Sequence, residues 1–104
     1  MTVEAFKEFQ LSLPKQPGVY RFIGPDEEVL YVGKAKNLLN RVTSYFVGMH
    51  DKSTRHKIMI RLAERIEFTI VNTERDALIL ENSLIKSYQP RYNILLKDDK
   101  TYPL

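Results

Sequence analysis

The chain has 104 residues, of which 43% are hydrophobic and 28% charged, enough for one domain around a single core. No apolar run approaches the ~20 residues of a membrane-spanning helix, and the acidic N-terminus is unlike a secretory signal. The absence of cysteine excludes disulfides and thiolate zinc sites, and it is typical of a reducing cytoplasm. His50 and His56 lack the spacing of a helical metal-binding pair, so we expect both at the plain surface.

The net charge of +3 is unevenly distributed along the chain. Residues 34–65 carry 8 basic and 2 acidic side chains, whereas residues 1–33 carry 3 and 5, and residues 66–104 carry 5 and 6. A basic middle third is expected of a protein that contacts the phosphate backbone of nucleic acid.

The first predicted element is a short helix over residues 2–12. Two prolines follow it, and they lead the chain extended into the next element. The helix would bury Val3, Phe6, Phe9 and, just past its end, Leu13.

A β-hairpin is predicted next. Residues 18–23 and 29–33 are rich in β-branched and aromatic side chains, and the Gly-Pro-Asp-Glu sequence at 24–27 is typical of a turn.

The hairpin places two phenols together. If Phe22 lies opposite Val29, then Tyr20 lies opposite Tyr31, and both tyrosines share one face of the sheet. Ordinary cross-strand packing and a functional pair both remain open as explanations.

A loop over residues 33–37 leads into a helix predicted at 38–46, with Asn37 as its N-cap. Arg41 and Tyr45 lie four residues apart along the edge of this helix, so their side chains can stack. The complete phosphate-binding loop pattern of nucleoside triphosphatases is missing, which argues against such a site. The buried face would consist of Leu38, Leu39, Val42 and Phe46.

A second basic helix is predicted at 54–65, capped by Ser53 after a loop at 47–52. Its flank is basic at every fourth residue, which indicates either a solvated face or a contact with a nucleic-acid backbone. These basic residues are Lys57, Arg61 and Arg65, and the predicted buried residues are Ile58, Met59, Leu62 and Ala63.

The last part of the chain begins with a strand at 66–71 and a helix at 74–88, capped by Thr73 and ended by Pro90. Residues 92–96 should be extended, and residues 97–100 should form a polar turn. The apolar arc of the helix contains Ala77, Leu78, Leu80, Leu84, Ile85 and Tyr88.

Glu81 falls in the middle of that apolar arc. A carboxylate taken out of water there costs several kcal/mol unless a cation meets it. A buried ion pair, a cleft that keeps the acid wet, and a metal or catalytic role remain open. The order of elements, without a βαβ repeat, predicts a single α+β domain with a small, mainly antiparallel three-stranded sheet flanked by helices.

Two triplets, G-V-Y at 18–20 and Y-V-G at 31–33, resemble the paired signature of the GIY-YIG nuclease family. Arg41 lies ten positions after Tyr31, and Glu81 and Asn93 also match the family pattern. Longer blocks resemble the N-terminal endonuclease domain of the UvrC family, namely L-P-K-Q-P-G-V-Y, Y-V-G-K-A-K-N-L-x-x-R-V-x-S-Y-F and E-N-S-L-I-K-x-Y-x-P-R-Y-N-I-L-L-K-D-D-K-T-Y-P.

The resemblance implies an active site for phosphodiester hydrolysis. Glu81 would be the one direct protein ligand of Mg²⁺ or Mn²⁺, since Mg²⁺ keeps most of its waters. Arg41 would contact the scissile phosphate. Tyr31 would be the general base, helped by Lys34, or would position the attacking water.

Other residues would support this site. Tyr20 and Tyr45 would orient water, base or phosphate, while Asn93 and Gly33 would brace the site from behind. The basic residues expected to contact DNA are Lys36, Lys57, Arg61 and Arg65.

The resemblance also implies a larger parent chain that cuts damaged double-stranded DNA on the 3′ side of the lesion in nucleotide excision repair. It would work in the cytoplasm with UvrB, which binds parts of the parent chain absent here, and the isolated domain would be monomeric. Two alternatives are a non-catalytic module of the same fold that binds nucleic acid or a partner, and a homing or branched-structure nuclease.

Overall fold

The computed structural model describes residues 1–48 and 52–99, with side chains as far as residue 95, so the prediction for His50 lies outside the described residues. None of the described helices combines the length and the apolar character that crossing a membrane requires. The elements in chain order are α1 Val3–Gln10, β1 Gly18–Ile23, β2 Val29–Ala35, α2 Leu38–Ser44, α3 Thr54–Leu62, β3 Arg65–Ile70, α4 Glu74–Tyr88 and α5 Arg91–Asp99.

The three strands form one antiparallel sheet in the order β2-β1-β3, flanked by helices, which confirms the predicted α+β fold. Alternate residues of β1 face two different cores. Tyr20 and Phe22 pack with residues of α1, α2, α3 and α5, whereas Val19 packs with Val32 of β2 and Ala77 of α4. The sheet is therefore covered on both faces, with β2 as one of its edge strands.

The register of the hairpin differs from the prediction. Phe22 lies opposite Tyr31, and Tyr20 lies opposite Gly33, with an irregularity between Phe22 and Ile23. Ile23, and not Phe22, lies opposite Val29, and Leu30 is an extra residue in β2 before Tyr31 meets Phe22. The register shifts by an even number of residues, so both tyrosines still share one face of the sheet.

The predicted helix caps at Asn37, Ser53 and Thr73 are confirmed. Each side-chain oxygen accepts a hydrogen bond from the backbone N–H three residues later, at 3.0 to 3.2 Å. Helix α4 ends as predicted, since Gln89 adopts a left-handed conformation (φ 45°) before Pro90. These local bonds satisfy N–H groups that the first turn of a helix leaves without a partner.

Three predicted boundaries are wrong. Strand β2 continues to Ala35, through part of the predicted loop, and α2 ends at Ser44. Helix α3 ends at Leu62, because the chain turns there into β3, so Arg65 lies on a strand and not on the basic helical flank.

The predicted extended segment at 92–96 is also wrong, because these residues belong to α5. Residues 97–99 of the predicted polar turn continue this helix, and the last residue of that turn lies outside the described ranges. The side chain of Asn93, and not an extended main chain, bonds the backbone of β2 here. At Val32 the edge strand β2 is therefore hydrogen-bonded by a side chain and not by a fourth strand.

Several apolar residues expected inside are largely exposed, because each helix buries a narrower stripe than its apolar arc. In α4, of the residues that were expected inside, only Ala77 is fully buried, and in α3 Ile60 is buried where Ile58 was expected. The exposed exceptions are Val3, Ile58, Leu78 and Tyr88, at 40 to 53% of their full accessible surface.

Candidate active site

Three buried tyrosines form the centre of the site. Tyr20 of β1, Tyr31 of β2 and Tyr45, directly after α2, have ring centroids 5.8 to 6.3 Å apart. The hydroxyl groups of Tyr20 and Tyr45 lie 2.7 Å apart and share a hydrogen bond. The structure thus brings together two predicted phenols from the hairpin and a third from a distant part of the chain.

Two glycines of the signature triplets make room for this arrangement. A Cβ atom on Gly33 would overlap the phenol ring of Tyr20, which lies directly over that position. A Cβ atom on Gly18 would collide with the carbonyl oxygen of Thr69 and lie 2.6 Å from a methyl carbon of Leu38. Glycine is required at both positions by close approach, since neither has a positive φ angle.

Arg41 lies at the open side of the tyrosine cluster. Its guanidinium carbon is 5.4 Å from the ring centroid of Tyr45, as the four-residue spacing predicted. The Arg41 side chain is exposed, whereas the three phenols are buried. The guanidinium also interacts with the Tyr20 hydroxyl, and its remaining N–H donors are available for an anion.

The phenols of the cluster are neutral at physiological pH. Burial raises the pKa of Tyr20 to about 12, and the neighbouring Tyr31 adds to that rise. Burial, with smaller contributions from the other tyrosines, also raises the pKa of Tyr31 and of Tyr45 above the ordinary value of 10. Arg41 favours the phenolate forms but is outweighed, so each phenol keeps its proton.

Glu81 lies within electrostatic reach of Tyr31, because its carboxylate contributes to the raised pKa of that phenol. Packing does not fully enclose Glu81, which is half-buried. Helix α4 buries the face that carries Ala77, whereas Leu78 and Tyr88 are largely exposed. Glu81 is therefore partly exposed at the edge of the cluster.

The donors around Glu81 fit a hydrated divalent cation better than a closed metal cage. Among the side chains that the structure describes, in residues 1–48 and 52–95, no group of three or more from histidine, aspartate or glutamate could enclose a metal ion. A half-buried glutamate within electrostatic reach of a neutral phenol offers hard oxygen donors, which suit Mg²⁺ because that ion retains several waters.

Asn93 supports the site from the edge of the sheet. Its side-chain oxygen accepts a hydrogen bond from the Val32 N–H, and its side-chain nitrogen donates to the Val32 carbonyl, both at 2.8 Å. Val32 lies between Tyr31 and Gly33, so these two bonds hold the strand that carries the Tyr31 phenol.

The basic candidates fall into two groups. Lys34 and Lys36 lie on or just after β2 close to Arg41, and Lys57 and Arg61 lie on α3. Arg65 instead bonds Glu27 at 2.6 Å and Glu67 at 2.9 Å, because β3 places it beside the hairpin turn.

Three residues near the site were not recognised from the sequence. His56 was expected at the plain surface, but it is half-buried, and its ring lies 6.2 Å from that of Tyr45. Its Nδ1 is 2.9 Å from the Ser53 hydroxyl, a contact that the N-cap spacing could have indicated. Asn40 and Glu74 line a cavity beside Arg41 and had no distinguishing signal in the sequence.

The family model of the UvrC-like GIY-YIG domain matches residues 16–94, which include all three tyrosines, Arg41, Glu81 and Asn93. The chain belongs to this family. Two similar proteins are the UvrABC system proteins C of Bacteroides thetaiotaomicron, 50% identical over 102 residues, and of Porphyromonas gingivalis, 53% identical over 104 residues. These matches cover 98% and 99% of the chain but only 17% of each relative, so the chain spans about a sixth of their length.

The fold of this UvrC-like domain is similar to a solved structure. The magnesium-bound GIY-YIG N-terminal endonuclease domain of UvrC from Thermotoga maritima matches with a TM-score of 0.74 and 37% identity, over 88% of this chain and 98% of that one. Four point variants of the T. maritima domain, three replacing a tyrosine by phenylalanine and one an asparagine by alanine, are also bound to the catalytic divalent cation. All four match this chain with the same TM-score of 0.74 and with 36 to 37% identity.

Proposed function

We propose that this chain is a metal-dependent DNA endonuclease domain that hydrolyses a phosphodiester bond. The observation that carries the proposal is the convergence of a guanidinium, a carboxylate and three neutral phenols from different elements of the fold. Phosphodiester hydrolysis needs a positioned nucleophile, neutralisation of the phosphoryl oxygens and help for the leaving oxygen. Membership of the UvrC-like GIY-YIG family supports this assignment.

Arg41 contacts the scissile phosphate in this proposal. Its guanidinium is exposed and stacked on Tyr45, so it can donate two parallel hydrogen bonds to a phosphate without losing its support. Tyr20 and Tyr45 hold each other in place through their shared hydrogen bond.

Tyr31 positions the attacking water in this proposal, and the alternative role of general base requires that the bound cation lower its pKa. A raised pKa makes the phenolate rarer at neutral pH, and Lys34 is not among the groups that lower it. The neutral phenol can donate one hydrogen bond and accept another, which suits an orienting role.

Glu81 holds the divalent cation, Mg²⁺ or Mn²⁺. The cation, when bound, neutralises charge on the phosphoryl group and lowers the pKa of a coordinated water. In the T. maritima domain the catalytic cation is bound in variants that lack one of three tyrosine hydroxyls, which favours a carboxylate as its protein ligand. In this chain Glu81 is the acid that lies beside the tyrosines.

The substrate that we propose is damaged double-stranded DNA, cut on the 3′ side of a lesion in nucleotide excision repair, with UvrB as the partner. The support is the match to proteins named for the UvrABC system. Lys36, Lys57, Arg61 and Arg65 contact the DNA backbone in this proposal, although Arg65 would have to leave two ion pairs. We place the activity in the cytoplasm, with the domain itself monomeric.

A second candidate is a non-catalytic module of the same fold that binds nucleic acid or a partner. The basic middle third would be sufficient for such a module. The presence of three phenols, a guanidinium and a carboxylate together favours the nuclease. Binding to a nucleic-acid backbone does not by itself require buried tyrosines.

The test is Glu81→Gln, which keeps size and hydrogen bonding but removes the charge. We expect loss of Mg²⁺ and Mn²⁺ binding by calorimetry in the 104-residue chain. In the full-length protein we expect loss of the cut that leaves 3′-hydroxyl and 5′-phosphate ends.

Glu28→Gln is the matched control, because it removes the same charge from an exposed ion pair with Arg91 at 3.8 Å. Normal cation binding and normal cutting by Glu81→Gln would exclude Glu81 as the ligand.

A further inference from the structure

A cavity of about 430 Å³ opens beside Arg41, between the end of β2, α2 and the first turn of α4. The tyrosines and Glu81 do not line it, so it adjoins the active site and shares Lys34 and Arg41 with it. The side chains that matter for its chemistry are those of Lys34, Lys36, Asn37, Asn40, Arg41 and Glu74.

The cavity carries an excess of positive charge. Three cationic side chains, those of Lys34, Lys36 and Arg41, line it together with one acid, Glu74. Glu74 pairs with Lys36 at 3.5 Å, and both side chains are mostly exposed. Within the described part of the chain, Lys34 and Arg41 take part in no ion pair. The cavity can therefore accept a further negative charge.

Two side-chain amides add neutral donors. The side-chain oxygen of Asn37 accepts a hydrogen bond from the backbone N–H of Asn40 at 3.0 Å. The side-chain nitrogen of Asn37 can therefore donate hydrogen bonds to a ligand. The Asn40 side chain is exposed and makes no hydrogen bond to another described residue. Charged and amide donors on one wall are the groups that bind phosphate oxygens.

In its described lining, the cavity has no aromatic ring on which a base could stack. Bases bound by proteins are commonly stacked on aromatic rings. A phosphodiester group of the backbone therefore fits the lining better than a nucleobase does.

We infer that this cavity binds a second, non-scissile phosphate of the same DNA molecule, and that Lys36 transfers from Glu74 to this phosphate when DNA binds. The inference rests on the proposed nuclease function, and it adds a binding site next to the scissile phosphate on Arg41. Glu74 competes with DNA for Lys36, so it weakens binding and favours release of the cut strand.

The test measures binding of a short labelled DNA duplex to the 104-residue chain by fluorescence anisotropy, with EDTA present so that no strand is cut. Glu74→Gln should lower the Kd for the duplex about two- to fivefold further than Glu28→Gln does. This factor corresponds to the free energy of one exposed ion pair. Both variants remove one negative charge from an exposed ion pair, but Glu28 lies at the other end of β2, about 20 Å away.

Two further variants test the direct contacts. Lys36→Ala should weaken binding and reduce the slope of log Kd against log salt by about 0.9, as expected for one lost phosphate contact. Asn40→Ala should weaken binding without a change in slope, because its amide is neutral.

Equal tightening by Glu74→Gln and Glu28→Gln would overturn the inference, because a general charge effect would then explain both. A wild-type chain that does not bind the duplex would also overturn it. These outcomes are separate from failure of the proposed function, which shows itself as absence of metal-dependent cutting and of Glu81-dependent cation binding.

Discussion

The hydroxyl oxygens of Tyr20 and Tyr45 lie 2.7 Å apart and share one hydrogen bond inside the core. This bond ties the central strand to the end of α2, the helix that also carries Arg41. The guanidinium of Arg41 stacks on the Tyr45 ring, so its position depends on the buried pair beneath it. A rigid phenol pair thus holds the group that we propose for the scissile phosphate.

The first prediction concerns protonation of the tyrosine cluster. Because burial raises the pKa of Tyr20 to about 12 and raises those of Tyr31 and Tyr45 as well, the folded chain should keep these three protons above pH 10. Ultraviolet absorbance of phenolate should therefore show fewer ionised tyrosines at that pH than in the same chain unfolded in urea. Replacing Tyr20, Tyr31 and Tyr45 by phenylalanine should leave the phenolate absorbance of the folded chain at pH 10 unchanged, because these three do not ionise there. A clear decrease in that absorbance would contradict the prediction.

The same shifts make the folded state sensitive to alkali. Phenols of the unfolded chain ionise near pH 10, so the stabilisation from Tyr20 is complete below pH 10 and is lost as the pH rises to about 12. Each such phenol should lower the free energy of unfolding by about 1.4 kcal/mol per pH unit in that interval. Urea unfolding at a series of pH values measures this slope, and a flat profile for the wild type would contradict the buried positions.

The second prediction concerns Gly33→Ala. The added methyl group would overlap the Tyr20 ring, so the ring or the strand must move, at a cost of about 1–3 kcal/mol in the free energy of unfolding. Because the shift occurs between Tyr20 and Tyr31, strand cutting should fall by about 100-fold, the effect of a small misplacement of reacting groups.

Gly24→Ala is the control for that substitution. Its added methyl group would lie 2.9 Å from the end of the Leu30 side chain, and no tyrosine atom is among its nearest neighbours. We expect it to retain cutting even where it lowers stability. Equal loss of cutting in both variants, measured with denaturant unfolding in parallel, would count against a specific role for Gly33.

The third prediction concerns Asn93→Ala. This change removes both hydrogen bonds to Val32 and leaves its N–H and carbonyl without those partners, which should cost about 1–3 kcal/mol in the free energy of unfolding. Since Val32 lies beside Tyr31, kcat should fall while KM changes little. Asn93→Asp keeps the acceptor for the Val32 N–H but loses the donor, so an intermediate effect in both measurements is expected.

The three helix caps could be predicted because a cap is a contact between residues three positions apart. Asn37, Ser53 and Thr73 each bond a backbone N–H within their own first turn, and no other part of the chain is needed. The hairpin strands were likewise recognisable from their β-branched and aromatic residues. The signature triplets indicated the family because their spacing is visible in the chain itself.

The predictions were wrong where the structure of a segment depends on contacts with residues far away in the chain. Arg65 was assigned to a basic helical face, but the chain turns after Leu62 and brings it to Glu27, 38 positions away. Residues 92–96 look extended in isolation, yet they are helical, with Asn93 bonded to Val32, 61 positions away.

The sequence by itself determined most of the elements, three of the helix caps and the residue types of the candidate site, because these depend on residues close together in the chain. Only the tertiary structure decided the register that sets Tyr20 over Gly33, the half-buried position of Glu81 and the cavity that Asn40 and Glu74 line. The physical reason is that these features depend on how β2, α2 and α4 pack against one another. Such packing brings together residues that are far apart in the chain, so local sequence patterns cannot predict it.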